Sequence, residues 1–161
     1  MQSIRRLFVE KKLGCNTEAN GVLNDLRDNL NITKLENVRI LNCYDIQGLE
    51  EEYFEICKNT IFSEPPVDKV YEESFQLGKG EYAFAVKYLP GQYDQRADSC
   101  MQCIQIITGK QNHLVEVSKV FVLEGNISDV EISKIKNYLI NSVDSMETHL
   151  SKPDSLGAKY D

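Results

Sequence analysis

The chain repeats its own pattern, and that repeat limits the folds open to it. "FVEKKLG" at residues 8–14 returns as "AVKYLPG" at 85–91, and each reads as a strand running into a glycine turn. An amphipathic helix should follow each turn. Ala19, Val22, Leu23 and Leu26 form one apolar stripe at helical spacing, and Ala97, Cys100, Met101 and Ile104 form the other at one constant offset. An apolar strand comes next, "NVRILNCYDI" in the first half and "VSKVFVLEGN" in the second. The second helices are "LEEEYFEICKNTIF", expected to bury Leu49, Tyr53, Ile56 and Ile61, and "ISDVEISKIKNYLI", expected to bury Ile132, Ile135 and Leu139. Ser128 and Glu131 have capping-box spacing at the start of the latter. Short strands close the halves, with Val67-Asp68 set against Val143-Asp144.

The expected order is therefore β-α-β-α-β, twice. One such half has too little core to stand comfortably alone, whereas two can pool their strands into one sheet with four helices on a face. The expected class is α+β, an internal duplication with a pooled, mostly antiparallel sheet. Residues 1–77 form the first half and 78–150 the second, the two sharing one core; 151–161, without periodicity, read as a linker. "SFQLGKGE" joins the halves.

Composition excludes several function classes. Net charge is −7 with no basic cluster, which argues against nucleic acid and against anionic membrane. The apolar run Leu7-Phe8-Val9 is too short for a signal-peptide core, and no stretch approaches a membrane span. Five cysteines without a secretory signal read as free thiols, and the expected compartment is the cytoplasm.

Catalytic constellations are not found. The two histidines, His113 and His149, have no ligand-spaced partner, and phosphate-binding glycine motifs and nucleophile elbows are missing from the sequence. Cys100-x-x-Cys103 could be a redox pair, but Cys100 belongs to the apolar stripe. A zinc site would need a second pair, which Cys15, Cys43 and Cys57 do not supply. Packing is the simpler reading of these thiols. Glu50-Glu51-Glu52 opens a helix, where carboxylates favour the dipole. No catalytic residue and no metal ligand is assigned.

Arg96 is different. It falls near a helix start, where the dipole disfavours a cation, and no acidic neighbour lies three or four residues away. Either it is solvated beside Asp94 at a nonhelical cap, or Gln92, Asp94, Gln95, Arg96 and Asp98 form a polar docking surface. The turn "GCNTEANG" of the first half carries no arginine.

"FSEPPVDKVY" (62–71), "YLPGQYDQRADS" (88–99), "VFVLEGNIS" (120–128) and "NYLINSVDS" (137–145) closely resemble the N-terminal region of the large, single-chain phosphoribosylformylglycinamidine synthases. The resemblance covers essentially the whole chain. It implies a domain similar to a dimer of the small accessory subunit of multi-subunit versions. It also implies a parent activity in purine biosynthesis: ATP- and glutamine-dependent conversion of formylglycinamide ribonucleotide to the amidine. By the same resemblance, ATP, magnesium and the glutaminase chemistry belong to downstream domains, with no cofactor in this region. The implied partners are those synthetase and glutaminase domains, and the implied role is non-catalytic assembly. A reading from another class stays beside it: a free-standing module that binds a small effector.

Overall fold

A computed structural model describes residues 3–156 of the chain. Among these, six strands form one antiparallel sheet with four helices. The elements are β1 (Ile4–Lys11), α1 (Thr17–Asn29), β2 (Leu35–Gln47), α2 (Glu51–Thr60), β3 (Asp68–Glu72), β4 (Glu81–Tyr88), α3 (Gln95–Thr108), β5 (Leu114–Gly125), α4 (Asp129–Leu139) and β6 (Ser145–Thr148). The sheet order is β3-β1-β2-β5-β4-β6, so each half contributes three adjacent strands and the halves meet at β2 and β5. No helix among the described residues is long and apolar enough to cross a membrane.

The strand registers of the halves coincide under one shift of 77 residues. Ile4↔Gln47 becomes Glu81↔Glu124, Val9↔Asn42 becomes Val86↔Lys119, and Lys11↔Asp68 becomes Tyr88↔Ser145. The central pair Asn42↔Lys119 maps onto itself, so an approximate two-fold axis passes there. Gly14 and Gly91 are counterparts in the turns, with φ of +87° and +88°, a region that glycine enters without steric cost. The alignment of residues 37–46 with 117–126 is corrected by this register: it is out of phase by three residues. Likewise Asp68 answers Ser145, not Asp144. β2 and β5 bury side chains on both faces over much of their length, so their apolar runs lack the alternation that would set phase.

The helices lie on one face and interleave the halves. One cluster joins Leu7, Val9, Tyr44 and Ile46 to Phe54 and Cys57 of α2 and to Cys100 and Ile104 of α3. Another joins Leu26 of α1 and Ile135 of α4 to Val38, Phe84, Phe121 and Leu123. Each cluster draws helices and strands from both halves, so neither half owns a complete core. Helix α2 buries Phe54 and Cys57; of the expected stripe, Leu49, Tyr53 and Ile61 pack half-buried against the same cluster, while Ile56 is 51% exposed. The capping box at α4 is formed, Ser128 Oγ accepting from the Glu131 N–H at 3.2 Å and Glu131 Oε1 accepting from the Ser128 N–H at 3.1 Å. His113 is packed inside at 5% exposure.

The opposite face is also covered. Phe8, Leu41, Cys43, Ala85, Val120 and Val122 pack there with Tyr71 and Phe75. Phe75 lies in the joining segment and meets Phe8 edge-on, ring centroids 4.8 Å apart, so "SFQLGKGE" helps to close the sheet as well as linking the halves. Residues 151–156 of the expected linker pack against the first half: Leu156 is buried and its N–H donates to Gln47 Oε1 at 2.8 Å. Residues 157–161 lie outside the described residues.

Candidate functional site: a polar cleft at the two-fold axis

The helix layer leaves a gap at the middle of the sheet. Helices α2 and α3 cover one end and α1 and α4 the other, and the first turns of α1 and α3 face each other across Asn42 and Lys119. Two counterpart grooves, of about 700 and 540 Å³, open here, and Asn42, Tyr44 and Arg96 line both.

Arg96 is the second residue of α3. Its Nη1 donates to the Tyr44 hydroxyl at 3.1 Å, a side chain from the other half of the chain. The ring of Tyr44 is buried and stacks edge-on against Phe62 at 4.9 Å, which fixes the hydroxyl at the cleft floor. Burial raises the Tyr44 pKa, and the Arg96 charge and hydrogen bond partly offset that rise. On Arg96 burial disfavours the cation, but Tyr44, Cys100 and Asp94 together outweigh it and the pKa is raised. The side chain thus stays a cation facing a polar cleft. Glu18, the counterpart of Arg96 in α1, carries the opposite charge and makes a different contact across the axis: its carboxylate receives Lys119 Nζ at 3.0 Å. The position equivalent to Tyr44 in the second half is Phe121, which offers an arginine in α1 no hydroxyl.

The docking set is split by the structure. Asp94 is the N-cap of α3, its Oδ1 accepting from the Ala97 N–H at 3.1 Å, which leaves its carboxylate committed to the helix start. Asp94, Gln95 and Arg96 line the larger groove together with Ser99, Lys119 and Ser145. Gln92 and Asp98 do not. Gln92 is exposed in the preceding turn, and its N–H donates to the Leu89 carbonyl. Asp98 turns along the outer helix face and accepts from the Tyr93 hydroxyl at 2.9 Å and Gln102 Nε2 at 2.8 Å. Tyr44, Asn42 and Lys119 are site residues that sequence spacing does not flag. The available signal is the repeat itself, which sets Glu18 against Arg96.

Among the described residues no group of three or more His, Cys, Asp or Glu is placed to hold a metal ion. Cys103 is exposed and Cys100 buried, so the two thiols of the C-x-x-C face different surroundings. Burial pushes Cys100 up to about 11, against the opposing pull of Arg96, and pushes Cys43 up to about 12. Thiol reagents should therefore label Cys15 and Cys103 rapidly in the native protein and Cys43, Cys57 and Cys100 only on unfolding. Labelling of Cys100 at its denatured rate would contradict the packing described. The pH effect follows from the same burial. Above about pH 8.5 the unfolded chain releases thiol protons that the folded chain retains, so stability falls as pH rises towards 11. Denaturant titrations at pH 8 and 10 should show this fall, and Cys100→Ala should make it shallower.

No protein-family model matches the chain, and no curated relative matches its sequence.

Proposed function

We propose that this chain is the N-terminal, non-catalytic assembly domain of a phosphoribosylformylglycinamidine synthase, organising the synthetase and glutaminase domains of its parent in the cytoplasm. The observation that carries this reading is the symmetric strand order, with one register shift relating the halves, beside the motif resemblance. Two copies of one β-α-β-α-β unit joined through β2 and β5 are what a fused dimer of a small accessory subunit would look like. On this reading the halves descend from a duplication, and the second half has specialised its cleft: Arg96 where the first has Glu18, and Phe121 where the first has Tyr44.

The cleft residues Asp94, Gln95 and Arg96, with Gln92 and Asp98 on its flank, form the docking surface for the parent's other domains. Arg96 spends one guanidinium nitrogen on Tyr44, and a planar fork suits a partner carboxylate or carbonyl. Arg96→Ala should cost the isolated domain about 1 kcal/mol, since the Tyr44 hydroxyl loses a partner but faces the cleft. In the full-length synthase the same change should lower glutamine-dependent activity several-fold while ammonia-dependent activity persists. A large loss of stability with unchanged activity would assign Arg96 to the local fold alone. ATP, magnesium and substrate chemistry belong to the parent's other domains in this proposal, so the isolated domain should release no ADP when given the nucleotide substrate and ammonia or glutamine.

The second reading, a free-standing effector-binding module, is favoured by the groove volume alone. Mass spectrometry of the native protein separates the two. A polypeptide far heavier than 18.4 kDa fits the assembly domain, and a stable mature product of that mass fits the module.

A further inference from the structure

The halves differ most sharply where their strands carry Arg6↔Asp45 in one and Ala83↔Val122 at the equivalent positions of the other. Arg6 and Asp45 are 5% and 7% exposed and lie on the face opposite the helices. They pair through two parallel contacts, Nε to Oδ1 at 2.7 Å and Nη2 to Oδ2 at 2.9 Å. Burial disfavours the Arg6 cation, but the Asp45 hydrogen bond together with Cys43, the Asp45 charge and Glu73 outweighs it, and the pKa is raised. A buried ion pair of this kind adds little to fold stability compared with apolar residues, and the second half folds in the same register without one. Its remaining donors show what it serves. Nη1 donates to the Leu150 carbonyl at 2.5 Å, and Nη2 lies 3.4 Å from the Ser151 carbonyl.

The segment held this way follows β6 and returns to the first half. Beyond the Arg6 fork, Lys152 Nζ donates to the Ile4 carbonyl at 3.0 Å and pairs with Glu73, and the Leu156 N–H meets Gln47 Oε1. Glu73 in turn accepts from the Arg6 N–H at 2.8 Å, so the clasp closes on itself. Its anchors are polar: Leu156 is its one buried apolar side chain, and Leu150 is 40% exposed. A segment with few apolar contacts and a handful of hydrogen bonds opens at far lower free energy than a central strand pair.

We infer that residues 150–156 form a releasable strap, locked onto the sheet by the Arg6–Asp45 fork, which opens without unfolding the sheet. Closed, it ties the end of the second half to β1. Open, it uncovers the Ile4 carbonyl, the Gln47 amide and the Arg6 fork.

Native-state hydrogen exchange on the whole chain tests this. The amide of Leu156 should exchange far faster than those of β2 and β5, with little dependence on denaturant. The double variant Arg6→Ala/Asp45→Val, which imports the pair of the second half, should accelerate Leu156 exchange about tenfold or more while the β2 and β5 amides keep their protection. Arg6→Lys, which keeps the charge and loses the fork, should fall between. The inference is overturned if the strap exchanges only with global unfolding, or if the double variant leaves the Leu156 rate unchanged. Should the double variant fail to fold, Gln47→Ala removes the Leu156 acceptor alone. Faster Leu156 exchange over an unchanged sheet then supports the strap, and an unchanged Leu156 rate overturns it.

Discussion

Replacing Ile104 by Ala should lower stability by about 2–5 kcal/mol and weaken both halves of the sheet together. Ile104 is fully buried in α3 of the second half, yet the cluster it fills contains Leu7, Val9, Tyr44 and Ile46 of the first. The cavity would open against β1 and β2 as much as against its own half. Calorimetry should show one cooperative transition before and after the change, displaced downward. Splitting into two transitions, with one left at the original temperature, would mean that the halves fold independently.

Removing the Arg6 side chain alone should be about as damaging. Arg6→Ala leaves Asp45 charged and buried with its paired donors gone, a loss expected at about 3–5 kcal/mol. The companion change Asp45→Val should recover most of it, because Ala83 and Val122 occupy the same register in the second half. Urea titrations of the single and double variants measure the recovery. A double variant as unstable as the single one would show that the pair holds the sheet itself, with the strap only a passenger.

How far the sequence can be read depends on what leaves a periodic trace. The stripes of α1, α3 and α4 are readable because each sets a run of apolar residues at helical spacing. In α2 the stripe is readable except at Ile56, since Phe54, Ile56 and Cys57 are all apolar and only packing chooses among them. The alternation of the halves is readable, but the phase of β2 against β5 is not, because both strands are buried on two faces. Tyr44 lies 52 positions from Arg96, and Asp45 lies 39 from Arg6. No local spacing reports such pairs. The strap is invisible for another reason: Arg6 and Lys152 hold it by backbone carbonyls, which every residue carries. Of the proposed docking residues, the sequence singles out Arg96 by the oddity of a cation at a helix start, and its partner emerges only in three dimensions.

Complementation is the decisive assay of the assembly role. A synthase lacking its N-terminal region would be assayed for amidine formation with glutamine and with ammonia, before and after addition of this chain as a separate polypeptide. The chain should bind the remainder stably and restore the glutamine-dependent reaction, with Arg96→Ala restoring it poorly. Full glutamine-dependent activity in the truncated synthase, or no association with the added chain, would contradict the assembly role.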